Sequence, residues 1–163
     1  MRKKVKRILG MFVTLCMIMG MSVTTYAAEI PPNLGEIVDG SVLTDERSSE
    51  IEFYDRTRGN ILNRGVARIS NNGNGSVNAY GAVMPAVQCD TLRLVMNIQR
   101  LEGNSWVTVK SYSDSASNAS LLTKSYNYSV KGGYYYRVMA ACIATKGGTT
   151  ESQTPITNGI WIN

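Results

Sequence analysis

Between Leu92 and Tyr112 the side chains alternate in character. Leu92, Leu94, Met96 and Ile98 fall on one parity, while Arg93, Asn97 and Gln99 fall on the other. A period of two marks a strand with one buried face. Gly103-Asn104 interrupts the run, and a two-residue hairpin turn there sets Leu101 opposite Trp106, Gln99 opposite Thr108, Ile98 opposite Val109 and Asn97 opposite Lys110. One face then gathers Leu92, Leu94, Met96, Ile98, Val107 and Val109. The other gathers Arg93, Asn97, Gln99, Thr108 and Lys110, together with Val95, Leu101, Trp106 and Tyr112. A slip of one residue mixes the two sets, so the pattern selects this register.

The same reading extends along the chain. VARISNNGNGSVNAYGAV predicts two strands around an Asn/Gly loop, because these residues tolerate the left-handed backbone of tight turns. SLLTKSYNYSV, YYYRVMAACIA and TTESQT predict three more, and ITNGIWIN a short edge strand. No stretch carries a helical period. About seven short strands, with turn signals about every 8 to 12 residues, predict an all-β, antiparallel β-sandwich of immunoglobulin or fibronectin type III kind over residues 59–163.

The first residues change where this domain is expected to work. MRKKVKR is followed by the uncharged ILGMFVTLCMIMGMSV and by small residues up to Ala27, the pattern of a secretory signal peptide over residues 1–27. The protein is therefore expected to be secreted, meeting a membrane only during export. Of the 17 Lys and Arg residues, Arg2, Lys3, Lys4, Lys6 and Arg7 leave with the signal, so the mature chain carries 12 basic and 12 acidic side chains. The high pI of the whole chain is then no sign of nucleic-acid binding, which needs a basic patch on the folded domain. The balance is uneven: residues 28–58 hold eight acids and three bases, whereas residues 59–163 hold four and nine. With Pro31-Pro32 and no sustained period, residues 28–58 read as an acidic extended arm, either laid along the basic domain or serving as a solvated spacer.

Cys16 also leaves with the signal, and the two remaining cysteines, Cys89 and Cys142, are expected to form one disulfide, with two buried thiols as the alternative. The chain has no histidine, which excludes Ser-His-Asp and Cys-His machinery and the usual zinc centres. No metal and no cofactor are called for. The acids of the β domain, Asp90, Glu102, Asp114 and Glu151, all fall beside turns or in a polar last strand, so catalysis by a carboxylate pair is not expected.

The stretch VKGGYYYRVMA followed by TKGGTTES resembles the last two strands of fibronectin type III domains. That resemblance implies a tyrosine corner at Tyr134, with its hydroxyl bonded to nearby backbone. Strand alternation then points Tyr136, Val138, Ala140 and Cys142 inward, and Tyr135, Arg137 and Met139 outward. A core Trp on the second strand and the absence of a disulfide, both usual in those domains, do not fit this chain. Across RGNILNRG, SNNGNGSVNAYG, NSWVTVKSYS, GGYYYRV and KGGTTES the chain is also similar to small exported clostridial proteins grouped only as a domain of unknown function. This likeness implies export and a compact β domain, and carries no activity with it.

The candidate binding face is the outward side of the hairpin: Trp106, Tyr112, Thr108, Lys110, Asn97 and Gln99, joined by Tyr135 and Arg137. Aromatic rings flanked by amides and hydroxyls suit sugar rings, whose C–H faces stack on an aromatic plane while their hydroxyls bond outward. The competing reading pairs Trp106 with Leu101 and covers the face with the arm. Arg64, Arg68, Arg93, Arg100, Lys124, Lys131 and Lys146 offer a weaker, salt-sensitive attraction to anionic wall polymer. The expected function is a secreted, non-catalytic binding module for cell-wall polymer, glycan or another surface protein. The alternative is a secreted effector or bacteriocin-like polypeptide, told apart by whether neighbouring strains stop growing.

Overall fold

The turns at Asn74-Gly75, Gly103-Asn104 and Gly147-Gly148 each close a hairpin in the computed structural model, which describes residue 40, residues 42–54 and residues 61–163. The expected signal peptide lies outside these residues. Ten strands form: β1 (Leu43–Thr44), β2 (Ser48–Tyr54), β3 (Leu62–Gly73), β4 (Ser76–Pro85), β5 (Cys89–Glu102), β6 (Ser105–Ala119), β7 (Leu122–Ser129), β8 (Tyr134–Lys146), β9 (Thr149–Gln153) and β10 (Gly159–Ile162). They make two sheets packed face to face. The larger runs β1-β10-β8-β5-β6, with β9 also on β8, and the smaller runs β2-β3-β4-β7. All strand pairs are antiparallel except β1 with β10. The architecture is the β-sandwich expected: β3 to β9 and the short strand β10 fall on stretches read as strands, and β1 and β2 are additional.

The turns follow their residues. Asn74 and Gly75 both take positive φ (53° and 65°), as a primed two-residue turn between β3 and β4 requires, and Gly147 and Gly148 (56° and 81°) do the same between β8 and β9. Asp90 Oδ2 accepts the Gly147 amide at 2.7 Å and fixes the second turn.

Between the sheets lie Ala67, Ile69, Val77, Ala79 and Val83 from the smaller one, facing Leu92, Leu94, Met96, Ile98, Val138, Ala140 and Cys142 from the larger. Burial of this apolar surface is the main stabilising contribution. Gly81 lets the sheets approach at one point, because a Cβ there would sit 2.7 Å from Met96 Sδ.

The segment read as an arm contributes, in its described part, strands to both sheets. Ile51 and Phe53 of β2 pack against the core, while Glu50 and Glu52 face out and pair with Arg68 (3.3 Å) and Arg64 on β3. Alternation of apolar and acidic residues in SSEIEFY is the strand signal, and the attraction between acidic segment and basic domain is realised along this ladder.

Two expectations are corrected by the register. The hairpin pairs Leu101 with Trp106 and Gln99 with Thr108 as expected, but Ile98 then faces Lys110 and Asn97 faces Ser111. Val109 is the extra residue of a β-bulge, so every side chain beyond it changes face. Tyr112, opposite Met96, therefore lies on the inner side and packs against the core. The second correction concerns the disulfide. Cys142 stands opposite Leu94, five positions along β5 from Cys89. At about 3.4 Å per residue the two cysteines are roughly 17 Å apart, far beyond the 4.4–6.8 Å or so that a disulfide spans between Cα atoms. Both are free and buried. Cys142 Sγ donates to the Ala82 carbonyl at 3.3 Å, and burial pushes its pKa up to about 12.

Candidate functional site

The bulge divides the eight candidate residues. Asn97, Gln99, Trp106, Thr108, Tyr135 and Arg137 share the outer face of the larger sheet, whereas Lys110 and Tyr112 lie on its inner side at the β6 edge. Tyr112 stacks flat on Tyr126 of β7 (centroids 4.0 Å, 2° between planes), and Lys110 Nζ stands 5.3 Å from the Tyr112 ring. Tyr126 donates to Asp114 at 2.8 Å, and Lys124 pairs with the same carboxylate at 3.3 Å. This cluster closes the open side of the sandwich where β6 and β7 run along its edge. Burial raises the Tyr112 pKa, and the bond to Asp114 raises that of Tyr126.

The outer face is not a free platform at its centre. Arg137 Nε donates to Gln99 Oε1 at 2.8 Å, its Nη1 donates to the Gly40 carbonyl at 3.1 Å, and its guanidinium lies 4.3 Å from the Trp106 ring centroid. Trp106 also reaches Gly159, where a Cβ would meet Trp106 Cη2 at 2.7 Å and Leu43 Cδ2 at 2.9 Å. Since β5 and β8 separate β6 from β10 in the ladder, this contact requires the sheet to curl about its outer side. Asn97 and Gln99 are accordingly only 6% and 7% exposed. Trp106 is a packing residue here, and Thr108 stays exposed beside it.

The tyrosine corner sits two residues from its expected place. Tyr136, 1% exposed, donates its hydroxyl to the Lys131 carbonyl at 2.7 Å. Tyr134 is instead flanked by cations, Arg100 at 4.7 Å and Lys131 at 5.7 Å from its ring. Burial raises the Tyr136 pKa, opposed by its bond with Arg100.

An open cleft of about 520 Å³ lies at the end of the sandwich, between the β1–β2 connection, the β3–β4 turn and the last residues of the chain. Trp161 lines it. Its position opposite Tyr135 places it on the outer face, and Tyr135 meets it edge-on at 5.0 Å and 64°. Its Nε1–H donates to Asn163 Oδ1 at 2.7 Å, which fixes the indole. Asn71, Asn74 and Asn163 bring amides to the wall, and Asp45, Glu46 and Arg47 bring charge. The Asn71 backbone N–H donates to the Arg47 carbonyl at 2.7 Å, and Asn71 Oδ1 accepts from Gly73 N at 2.8 Å, so turn and connection are tied together. Sequence reasoning left Trp161 in a short edge strand; its signal was an indole two residues before Asn163, inside an alternating tetrapeptide.

The four acids of residues 59–163 all serve structure. Glu151 Oε2 accepts from the amides of Ile61 and Leu62 (3.0 and 2.8 Å), Asp90 accepts from Gly147, Glu102 pairs with Arg100, and Asp114 holds Tyr126 and Lys124.

No curated protein and no solved structure matches the chain. The profile of a family of unknown function matches residues 33–160.

Proposed function

Since the chain belongs to that family, DUF6147, which brings no activity with it, we propose from the chain's own surface that it is an exported, non-catalytic binding module. It holds saccharide chains, of a cell wall or of its surroundings, in the cleft beside Trp161. The observation that carries the reading is an indole, hydrogen-bonded to Asn163, at an open cleft among side-chain amides. Sugar C–H groups stack on such a ring, and amides satisfy the hydroxyls that stacking leaves at the edge. Trp106 fits this role less well, because Arg137 lies over its ring and its tip is packed on Gly159. The basic stretch and apolar run of residues 1–27 support export.

Residues 28–163, purified, are to be tested for co-sedimentation with isolated cell walls and for binding to a polysaccharide panel. Trp161→Ala is expected to weaken binding tenfold or more, while Tyr112→Phe, which keeps the inner stack, leaves it unchanged. Absence of binding by the parent protein, or equal binding by Trp161→Ala, removes the cleft as a saccharide site.

A further inference from the structure

The face of the larger sheet turned away from the smaller one is closed to solvent where no described strand lies over it. Val95 and Ala141, which pair with each other on β5 and β8, are both 0% exposed, and Ile143 is 8% exposed. All three stand on the outward parity shared with Asn97, Gln99 and Arg137. The curl at Trp106 does not explain them, since Val95 lies four residues beyond Gln99, about 14 Å along β5. Their neighbours on β6, Ser113 and Ser115, are both exposed and too short to roof a valine. A sheet face without a second layer leaves its side chains partly in water. Among the described residues the one other layer, the smaller sheet, packs on the opposite face. The outer face also holds an orphan: Asn97 Oδ1 is shut from solvent and has no hydrogen-bond partner among the described residues, a state that native folds avoid.

The chain itself leads onto this face. Gly40 is buried, Arg137 Nη1 donates to its carbonyl at 3.1 Å, and a Cβ on it would stand 2.6 Å from Ile156 Cγ2 and from the Thr157 carbonyl oxygen. We propose that residues 28–39, which precede Gly40 and lie outside the described residues, run back from it over the outer face of β8 and β5 and form its cover. Twelve residues reach about 40 Å when extended, against about 20 Å for the six positions of β8 from Arg137 to Ile143. The segment AEIPPNLGEIVD supplies Ile30, Leu34, Ile37 and Val38 to Val95, Ala141 and Ile143. Its acids, Glu29, Glu36 and Asp39, have no base among them, whereas Arg93 and Arg137 are the charges on this face of β5 and β8. Peptide N–H groups are the donors that Asn97 Oδ1 lacks. A purely apolar cover would bury the valine and leave that oxygen unmet.

The test is paramagnetic relaxation in isotope-labelled residues 28–163 carrying a nitroxide on Ser113→Cys, beside a second protein with the nitroxide on Thr123→Cys of the smaller sheet. Both positions are exposed, whereas Cys89 and Cys142 are buried and escape the label. The amide signals of residues 28–39 are expected to lose more than half their intensity with the label at 113 and to keep it with the label at 123. Leu34→Asp with Ile37→Asp, in the chain labelled at 113, is expected to restore those signals and to lower Tm by about 3 °C or more. Undiminished signals with the label at 113, equal loss from both labels, or loss that persists in the Asp variant overturns the proposal. Equal loss in a mixture of isotope-labelled chains with nitroxide-bearing, isotope-free ones gives the cover to a second copy, and overturns it as well.

Discussion

At the scale of single residues, the groups that matter most are those whose partners come from the other sheet. Glu151 on β9 accepts the amides of Ile61 and Leu62, and so fastens the start of β3 to the larger sheet. Glu151→Ala leaves two part-buried donors unsatisfied and is expected to cost about 2 kcal/mol, with Glu151→Gln costing less, as urea titration will measure. Cys142 makes a prediction about pH. Its thiol is neutral in the fold up to about pH 12, whereas an unfolded thiol ionises near 9.0. Stability associated with this group is therefore complete below pH 9 and falls as pH rises beyond it, by up to about 1.4 kcal/mol per unit. Tyr112, Tyr126, Tyr136 and Cys89, all raised, act in the same direction. Cys142→Ala is expected to flatten the decline of Tm between pH 9 and 11, and an unchanged slope refutes the assignment. Dithiothreitol is expected to leave the Tm of residues 28–163 unaltered, since Cys89 and Cys142 are both free. Inward and outward parity on β5 and β8 was legible in the sequence; pairing of the cysteines was not, because an even count says nothing about register.

At the scale of elements, alternation fixed which stretches become strands, and turn residues fixed where they end. What local pattern did not carry was the bulge at Val109, since an unbroken ladder keeps Val107 and Val109 together on the inner side, whereas the bulge puts Lys110 there opposite Ile98 ahead of Tyr112. It did not carry the strand character of residues 48–54 either. Scattered acids there read as solvated, yet Glu50 and Glu52 occupy the outward parity of a strand whose inward positions are Ile51 and Phe53. The consequence can be checked by truncation. A chain beginning at residue 59 lacks the strand that covers the β3 edge and two apolar side chains of the core, and is expected to be aggregated or unfolded where residues 28–163 give a cooperative transition. A soluble, equally stable fragment 59–163 would make β2 dispensable. The candidate site divides in the same way. Tyr135 was legible as outward, but Trp161 becomes a site residue only once the β1–β2 connection and the β3–β4 turn are brought beside it.

At the scale of the whole molecule, the topology joins distant parts of the chain. Leu43 pairs with Gly159 in the parallel ladder of β1 and β10, and β3 packs on β8 through Gly65 and Cys142. Such non-local pairing makes folding slow, in the range of milliseconds to seconds, which stopped-flow circular dichroism after dilution from urea will measure; relaxation in microseconds contradicts it. The chain has two tryptophans, and the curled sheet gives them different surroundings. Trp106 is held under Arg137 and against Gly159, whereas Trp161 borders solvent at the cleft. Their emission therefore divides the molecule into two channels. The Trp106→Phe protein glows from the cleft alone, so a ligand entering there shifts its spectrum, while the Trp161→Phe protein is blind to ligand and changes colour when the sheet uncurls.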